Sequence, residues 1–309
     1  MSFADRLEEA IARKGNPCLV GIDPHLDLLP DEHARARDPH CPRAERARAL
    51  GDFCCALIDV VADRAPAVKP QSAFFEQLGA HGVAAWERVV AHARSAGLIV
   101  IGDVKRGDIA STAEAYARAF LVGLEGCSRD GLCDAVTLNA FLGGDSVRPF
   151  LDACLRADAG IYVLVRTSNP GSADFQRHGS PELSLRLADA VARWGAELVG
   201  ERGLSSVGAV VGATHGAELR AFRARMPRTP LLLPGYGAQG ATAQDVVDAF
   251  LPHTASGPRR PSGALVSSSR AICFAYREPQ HRGRPWRDAT SVALDEMIAQ
   301  LSSALRAGT

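Results

Sequence analysis

Three closely spaced charges mark the part of this sequence best suited to chemistry. Asp103, Lys105 and Asp108 follow an apolar run, and a strand is predicted over residues 98–104. Side chains on a strand alternate between its two faces, so Asp103 and Lys105, two residues apart, project the same way from its carboxyl end. An ammonium group held there by a carboxylate can stabilise developing negative charge and deliver a proton.

A surface ion pair is the alternative interpretation of Asp103 and Lys105, because exposed pairs are common and contribute little to stability. The apolar run before them argues against it. A strand this hydrophobic is expected to be buried on both faces, and charges at its carboxyl end lie where α/β sheets hold ligands. Beyond Gly107, Ser111 or Thr112 is expected to cap the next helix.

Eight apolar segments of this kind occur along the chain, each followed by a segment with helical spacing. The predicted strands are 18–23, 65–69, 98–104, 135–138, 161–165, 207–211, 230–233 and 264–267. The predicted helices that follow them are 49–62, 78–93, 112–124, 145–157, 183–199, 216–224, 243–251 and 269–276. Strands alternating with helices predict a parallel sheet with right-handed crossovers.

Eight such units in somewhat more than about 250 residues fit a (β/α)8 TIM barrel better than an open sheet. An open doubly wound sheet is the alternative, but it usually carries G-x-G-x-x-G after its first strand, and this sequence does not. The predicted fold class is therefore α/β, with a single barrel domain over residues 1–309.

Two further helices are predicted outside these units. Phe3, Leu7 and Ile11 lie at helical spacing in an amphipathic N-terminal helix, and a charged C-terminal helix is predicted over residues 291–305. Residues 33–48 are rich in Arg, His and Pro and lack an apolar period. This segment is predicted to be a solvated loop or a poorly ordered insertion.

Composition argues against several classes of protein. The chain has 309 residues, 47% of them hydrophobic, and its 35 Lys plus Arg balance 35 Asp plus Glu. This zero net charge creates no field to attract nucleic acid or an acidic membrane. The N-terminus does not read as a secretion signal and no apolar stretch approaches the roughly 18 residues of a membrane span, so a soluble, cytoplasmic protein is expected. The eight cysteines lack zinc-ligand spacing, and no metal site made of them is expected.

In a barrel, polar residues at the strand ends converge on one pocket. The residues at these positions are Asp23, Lys69, Asp103, Lys105, Asn139, Ser168, Thr214, Gln239 and Arg270. A single residue of this kind more often has a structural role than a catalytic one. Together these residues form a pocket of alternating charge, and unpaired charges there would be too costly to occur without a functional role.

Glycine and hydroxyl residues follow the last two predicted strands, as PGYGAQG at residues 234–240 and SSSR at residues 267–270. Barrels commonly bind phosphate at these two loops, through backbone N–H groups and the start of a helix. An ordinary glycine turn is the alternative for residues 234–240. Arg270, at the corresponding end of the last strand, favours the phosphate site.

These motifs together resemble the orotidine 5'-phosphate decarboxylase family. The resemblance rests on D-x-K-x-x-D at 103–108, VKPQSAFFE at 68–76, TSNPGS at 167–172, PGYGAQG and SSSRA, while DVKRGDIASTAEAYA and GGDSVRPFL are similar to its longer bacterial branch. It runs in order from Cys18 to about Tyr276, and only the loops at 33–48 and 252–262 have no counterpart. It implies decarboxylation of orotidine monophosphate to uridine monophosphate in pyrimidine nucleotide synthesis, with no cofactor and no metal.

The resemblance also implies roles for individual residues. The charged network would consist of Lys69, Asp103, Lys105 and Asp108, with Asp108 supplied by the other subunit of a homodimer and Lys105 protonating C6. The substrate contacts would be Asp23 and the partner chain's Thr112 at the ribose, Ser168 at the pyrimidine edge, and Gln239 and Arg270 at the phosphate. Asn139 and Thr214 match only by their position at a strand end.

The chemistry of this reaction explains these residue types. Loss of carbon dioxide from C6 leaves an electron pair in the ring plane with little resonance stabilisation, so the site must place positive charge beside it. Lys105 would supply that charge and then the proton. A carboxylate near the departing carboxylate would disfavour the bound substrate more than the transition state, and the remote phosphate would supply binding energy for loop closure.

Two other functions compete with this one. Related phosphate-binding barrels decarboxylate or condense sugar phosphates through a magnesium-bound enediolate and share D-x-K-x-x-D, but they use a carboxylate as a metal ligand where this sequence has Lys69. A cation at that position repels magnesium. The other alternative is a barrel that binds nucleotides without catalysis, and the intact set of charged residues argues against it.

Overall fold

The computed structural model describes residues 1–237, 240–252 and 260–307. Eight parallel strands form a closed barrel in which each strand pairs with the next and β8 pairs with β1. The strands are β1 Cys18–Ile22, β2 Ala67–Pro70, β3 Ile99–Arg106, β4 Ala135–Leu138, β5 Gly160–Arg166, β6 Val207–Val211, β7 Leu231–Pro234 and β8 Ala264–Ser268. The predicted α/β class and (β/α)8 TIM barrel are confirmed, and every predicted strand end lies within two residues of the observed one.

Helices connect the strands and surround the barrel. In the described ranges the α-helices are α1 Phe3–Lys14, α2 Arg43–Val61, α3 Ala73–Glu76, α4 Gly79–Ser95, α5 Ala110–Ala117, α6 Gly144–Ala157, α7 Ala173–Gln176, α8 Leu183–Trp194, α9 Gly216–Arg225, α10 Arg270–Cys273 and α11 Trp286–Ala307. The additional N-terminal and C-terminal helices predicted from the sequence are α1 and α11.

The loop predicted over residues 33–48 is wrong for most of its length. Residues 31–36 form a 3-10 helix, and α2 begins at Arg43. Ala36 and Ala47 are buried against the core. Short alanine side chains pack closely without producing the period of large apolar residues on which the prediction depended, so the sequence pattern misses this packing.

Three helix predictions also differ from the structure. The segment after β7 forms a 3-10 helix, Gln244–Ala249, and the segment after β8 is divided between α10 and a second 3-10 helix. Ser111 and Thr112 do not cap α5 but lie inside it. The chain instead turns into the helix through Ala110, whose φ of 47° lies in the left-handed region. That turn starts the helix before either hydroxyl residue is reached.

Helix α1 closes the amino-terminal end of the barrel. Its buried residues Phe3, Leu7 and Ile11 pack against inward-facing side chains of the strands, including Tyr162. The rings of Phe3 and Tyr162 meet edge to face with their centroids 6.2 Å apart. Gly160 permits this approach, because a Cβ there would lie 2.1 Å from Phe3 Cδ1. Because α1 fills the amino-terminal end of the barrel, the carboxyl end remains available for a ligand.

Within the described ranges, no helix is long and apolar enough to cross a membrane. No cluster of three or more His, Cys, Asp or Glu side chains in the same ranges is arranged to hold a metal ion. The eight cysteines are free thiols, and most of them are buried. Burial raises the pKa of Cys133 to about 12, so this thiol stays protonated at neutral pH.

Candidate active site

A cavity of about 830 Å³ opens at the carboxyl end of the barrel. Of the residues predicted for the site, those that line it are Lys69, Asp103, Lys105, Asn139 and Ser168. Leu164, Val210 and Leu232 contribute apolar wall, and the last two also pack in the barrel interior above α1. A mostly apolar cavity of this size with a few convergent polar groups is typical of a small-molecule site.

Asp103 is the centre of a hydrogen-bonded network at one end of this cavity. Its Oδ2 accepts a bond from Lys69 Nζ at 2.5 Å, and its Oδ1 accepts one from Lys105 Nζ at 2.5 Å. Thr137 Oγ1 also donates to Oδ1, at 2.9 Å. The side chains of Lys69 and Asp103 are 7% and 8% exposed, whereas that of Lys105 is 46% exposed. Lys105 therefore presents its ammonium group to the cavity, and Lys69 is a buried partner.

Burial and ion pairing act in opposite directions on the pKa values of this network. Burial alone would raise the pKa of Asp103, but Lys69 and Lys105 outweigh it and hold that pKa well below its usual value. Burial alone would lower the pKa of Lys69, but Asp103 and Asp23 raise it above the ordinary value. Both members of the buried pair are therefore charged at neutral pH.

Strand β3 leaves its regular ladder with β4 just where it reaches the site. The register shifts so that residues 103–105 lie opposite a single residue of β4. Lys105 has a φ of 45°, in the left-handed region that non-glycine residues rarely adopt. Irregularities of this kind re-aim side chains at barrel rims. The predicted ion pair of Asp103 and Lys105 is present, but a bulge produces it and not regular strand alternation.

Asp108 and Thr112 do not line the cavity of their own chain. Asp108 is half-buried in the loop after β3, where its Oδ1 accepts a bond from Ile109 N at 2.8 Å. Thr112 is exposed on α5. Gly107 brings this loop against the loop after β4, since a Cβ at that position would lie 2.4 Å from Asn139 O. Asp108 and Thr112 thus lie outside the cavity of their own chain, in and just after a loop that reaches Asn139 at the cavity wall.

Asp23 and Thr214 occupy different surroundings although both follow strand ends. Asp23 lies close enough to Lys69 to raise the pKa of that lysine. The Oδ1 atom of Asp23 is buried and has no hydrogen-bond partner among the residues that the structure describes. Thr214 is exposed in a 3-10 helix after β6 and does not line the cavity.

Arg270 lies apart from the main cavity. It is exposed at the start of α10 and lines a smaller cavity of about 330 Å³ together with Gly237 and Ser268. The loops after β7 and β8 therefore meet at Arg270, and a phosphate site between them stays a prediction. Gln239, the other predicted phosphate contact, lies outside the described residues.

Comparison with known proteins decides the family. The sequence profile described as the Orotidine 5'-phosphate decarboxylase / HUMPS family matches residues 20–280. The chain belongs to this family. An orotidine 5'-phosphate decarboxylase of Rhodopirellula baltica is 42% identical over 307 residues, which are 97% of this chain and 99% of the relative. One of Deinococcus radiodurans is also 42% identical and covers 89% of this chain and 90% of itself.

Solved structures agree with this family assignment. The structure of Leishmania donovani OMP decarboxylase superposes with a TM-score of 0.73 at 31% identity, covering 98% of this chain and 99% of that one. The profile of the orotidine 5'-phosphate decarboxylase family spans every residue predicted for the site, from Asp23 to Arg270. The family resemblance inferred from the sequence motifs is thus confirmed.

Sequence reasoning missed several uncharged residues that line the cavity of this orotidine 5'-phosphate decarboxylase family member. They include Thr137, Phe141, Asn169, Phe175, Gln176 and Leu183. Phe141 and Asn169 lie in loops, and Phe175, Gln176 and Leu183 lie in α7 or at the start of α8. No periodic pattern of apolar residues marked these five as site positions. Thr137 is the exception, because it is a lone hydroxyl in an apolar strand beside the strand that carries Asp103 and Lys105.

An arginine at the end of β5 holds the loop that carries Ser168. Arg166 is 3% exposed, and it donates from Nε to Glu218 at 3.0 Å and from Nη1 to Ser172 Oγ at 2.7 Å. Glu218 on α9 also bonds Arg177 at the far end of the loop. The Glu218 carboxylate therefore connects both ends of the loop to α9, which supports Ser168 at the cavity wall.

Proposed function

We propose that this protein decarboxylates orotidine 5'-monophosphate to uridine 5'-monophosphate and carbon dioxide in pyrimidine biosynthesis. The observation that supports this proposal most directly is the buried pair of Lys69 and Asp103 beside a large cavity. The accessible ammonium group of Lys105 bonds the same carboxylate. Membership of the family, and relatives named orotidine 5'-phosphate decarboxylase, support the proposal.

Lys105 is the proton donor in this proposal. When the bond from C6 to the carboxylate carbon breaks, carbon dioxide leaves and the electron pair stays on C6. The nearby ammonium stabilises that charge and transfers one proton to C6, after which solvent restores the proton to Lys105. Lys14, Lys69 and Lys105 are the only lysines in a chain with 35 Lys plus Arg. Arginine cannot give up a proton in this way, so lysine at the site suits a proton donor.

The proposed substrate contacts extend from the ribose to the phosphate. The buried Oδ1 of Asp23, which lacks a partner among the described residues, is suited to accept a bond from a ribose hydroxyl. Ser168 would contact the pyrimidine edge from the cavity wall. Arg270 and Gln239 would hold the phosphate between the last two loops, and Asn139 and Thr214 are further candidates at strand ends.

The proposed enzyme is a homodimer with shared active sites. Asp108 and Thr112 lie outside the cavity of their own chain, one half-buried and the other exposed, and in a twofold dimer they would contribute to the partner's site. Three large apolar side chains next to these residues are exposed, Ile109 at 54%, Phe141 at 81% and Leu142 at 51%. Contiguous apolar exposure of this kind is typical of a subunit interface. Within a dimer, Asp108 would add a second carboxylate to the network.

The magnesium-dependent sugar-phosphate reaction receives no support from this geometry. Lys69 occupies the position of the expected carboxylate ligand and is held in its charged form by Asp103. A fixed positive charge there opposes the binding of a divalent cation.

The direct test is to incubate the protein with orotidine monophosphate and follow the ultraviolet change, with product identification by mass spectrometry. We expect conversion to uridine monophosphate, unchanged by a chelator. Absence of product, with the substrate shown to bind, would favour the non-catalytic nucleotide-binding barrel. Activity lost on chelation and restored by magnesium would overturn the proposed mechanism.

A further inference from the structure

Thr137 lies between the two groups on which the proposed chemistry depends. It is 2% exposed in β4. Its Oγ1 accepts a hydrogen bond from the backbone N–H of Lys105 at 3.0 Å and donates one to Asp103 Oδ1 at 2.9 Å. A hydroxyl has a single proton, so both bonds together determine its orientation. One buried side chain therefore contacts the backbone of the ammonium residue and the carboxylate that holds that ammonium.

The bond to Lys105 replaces a backbone bond that the barrel cannot make here. In a regular parallel ladder the N–H of a β3 residue would donate to a carbonyl of β4. The register shift at residues 103–105 removes that partner. An N–H without a partner at this partly buried rim is costly, and the left-handed φ of Lys105 adds backbone strain. The Thr137 hydroxyl satisfies the N–H and thereby supports the conformation that turns Lys105 toward the cavity.

The bond to Asp103 acts on the other half of the pair. Asp103 Oδ1 accepts hydrogen bonds from Thr137 and Lys105, while Asp103 Oδ2 accepts one from Lys69. A third donor at a defined position limits rotation of the carboxylate, so each oxygen keeps its own lysine. Small displacements of a reacting group are expensive in catalysis, since a shift of about 1 Å can cost roughly 100-fold in rate.

We infer that Thr137 is a positioning residue for decarboxylation: its hydroxyl aims the Lys105 ammonium at the reacting carbon through the backbone of Lys105 and the carboxylate of Asp103. This inference rests on the proposed function for its kinetic consequence. Its structural content, that the hydroxyl holds Lys105 and Asp103 in register, stands independently of which substrate the site takes.

The test compares Thr137→Val, which keeps the shape and removes the hydroxyl, with Thr137→Ser, which keeps the hydroxyl. For the valine variant we expect kcat to fall by about 100-fold, with KM changed much less because the proposed ribose and phosphate contacts are elsewhere. The serine variant should retain kcat within about threefold of wild type. Losing a donor also raises the pKa of Asp103, so the acid limb of the kcat profile should move to higher pH in the valine variant.

Thr290→Val is the matched control. Thr290 is also fully buried and donates to a backbone carbonyl, Ile272 O at 3.1 Å, but it lies on α11 away from the cavity. Loss of its hydroxyl should lower the unfolding free energy without changing kcat or the pH profile. A merely structural role for Thr137 would make the two valine variants behave alike.

Crystal structures of the Thr137 variants separate this inference from the proposed function. In Thr137→Val we expect Lys105 to leave the left-handed region or its Nζ to move beyond hydrogen-bonding distance of Asp103. Thr137→Ser should leave both unchanged. If wild type proves inactive on orotidine monophosphate, the proposed function fails while the structures still decide whether Thr137 positions Lys105. Wild-type kcat in the valine variant, or a serine variant as impaired as the valine one, would overturn the inference.

Discussion

Lys69 and Lys105 share one carboxylate, yet their surroundings differ. Both line the cavity, but the side chain of Lys69 is 7% exposed and that of Lys105 is 46% exposed. A proton donor must reach the substrate, which is why Lys105 is the proposed donor. Lys69 is better suited to neutralise the charge of Asp103 and hold that carboxylate in place.

Replacing Lys105 by arginine tests the proton-donor role most directly. Lys105→Arg keeps the positive charge but removes a transferable proton, so we expect kcat to fall by at least about 100-fold, and Lys105→Ala to be at least as impaired. Steady-state kinetics with orotidine monophosphate provide the measurement. Lys14→Arg, at a lysine whose ammonium group donates to the backbone carbonyls of Ala62 and Asp63, is the matched control and should remain active. Substantial turnover by Lys105→Arg would assign proton delivery to another group.

The pH dependence of stability should report the low pKa of Asp103. Its pKa lies below the ordinary 3.8 in the folded protein, so its ion pair stabilises the fold above about pH 4 and loses that contribution as the pH falls further. Asp103→Asn removes this contribution and leaves Lys69 without its nearest partner. We expect the variant to be less stable than wild type by about 3–5 kcal/mol at pH 7, with the difference shrinking toward pH 2. Urea unfolding across this range measures it, and a difference independent of pH would contradict the assignment.

Among the elements, α1 has the most distinct task. It fills the amino-terminal end of the barrel, far from the charged network, with side chains that contact the inner faces of the strands. The same strands therefore pack against α1 at one end of the barrel and carry the candidate site at the other end. Mutations in α1 should affect stability and leave the chemistry unchanged.

Phe3→Ala provides that test, since Phe3 is fully buried against Tyr162. Truncating a buried phenylalanine costs about 3–5 kcal/mol, and we expect that loss in the unfolding free energy. Turnover at a temperature where the variant is folded should match wild type. Phe175→Ala, at a residue 71% exposed in the cavity mouth, is the matched control and should change stability by no more than about 0.5 kcal/mol. Equal losses of stability in both variants would contradict the role of α1 in filling the amino-terminal end of the barrel.

At the scale of the whole molecule, the decisive question is whether one chain contains a complete site. Asp108 belongs to the same sequence motif as Asp103 and Lys105, but it does not line the cavity with them. In the proposed homodimer, Asp108 would cross the twofold interface and approach the partner's network.

Complementation tests this arrangement. Lys105→Ala and Asp108→Ala should each be inactive alone, but a mixed dimer would have one site with both lesions and one with neither. Random exchange gives half mixed dimers with half their sites intact, so we expect roughly a quarter of wild-type activity. Native mass spectrometry verifies the exchange. Confirmed exchange without recovered activity would place Asp108 at the site of its own chain.

The sequence by itself determined the barrel and most of the charged network. Apolar runs of strand length alternating with helical spacing are a local property, readable without knowing the contacts. Once eight such units are counted, barrel geometry brings the strand ends together, which is why Lys69, Asp103 and Lys105 could be assigned to one site. Their roles were suggested by the family motifs and not by spacing alone.

Only the tertiary structure decided how those groups are held. The left-handed turn at Lys105 and its bond to Thr137 follow from the register between β3 and β4, and register depends on contacts between segments distant in sequence. The burial of Ala36 and Ala47 against the core depends on alanine packing, which leaves no large apolar period. Likewise, the close approach of Gly107 to Asn139 sets the path of the loop that leaves Asp108 outside the main cavity. Local propensity places a residue at the end of a strand, but packing between strands and loops determines where its side chain points.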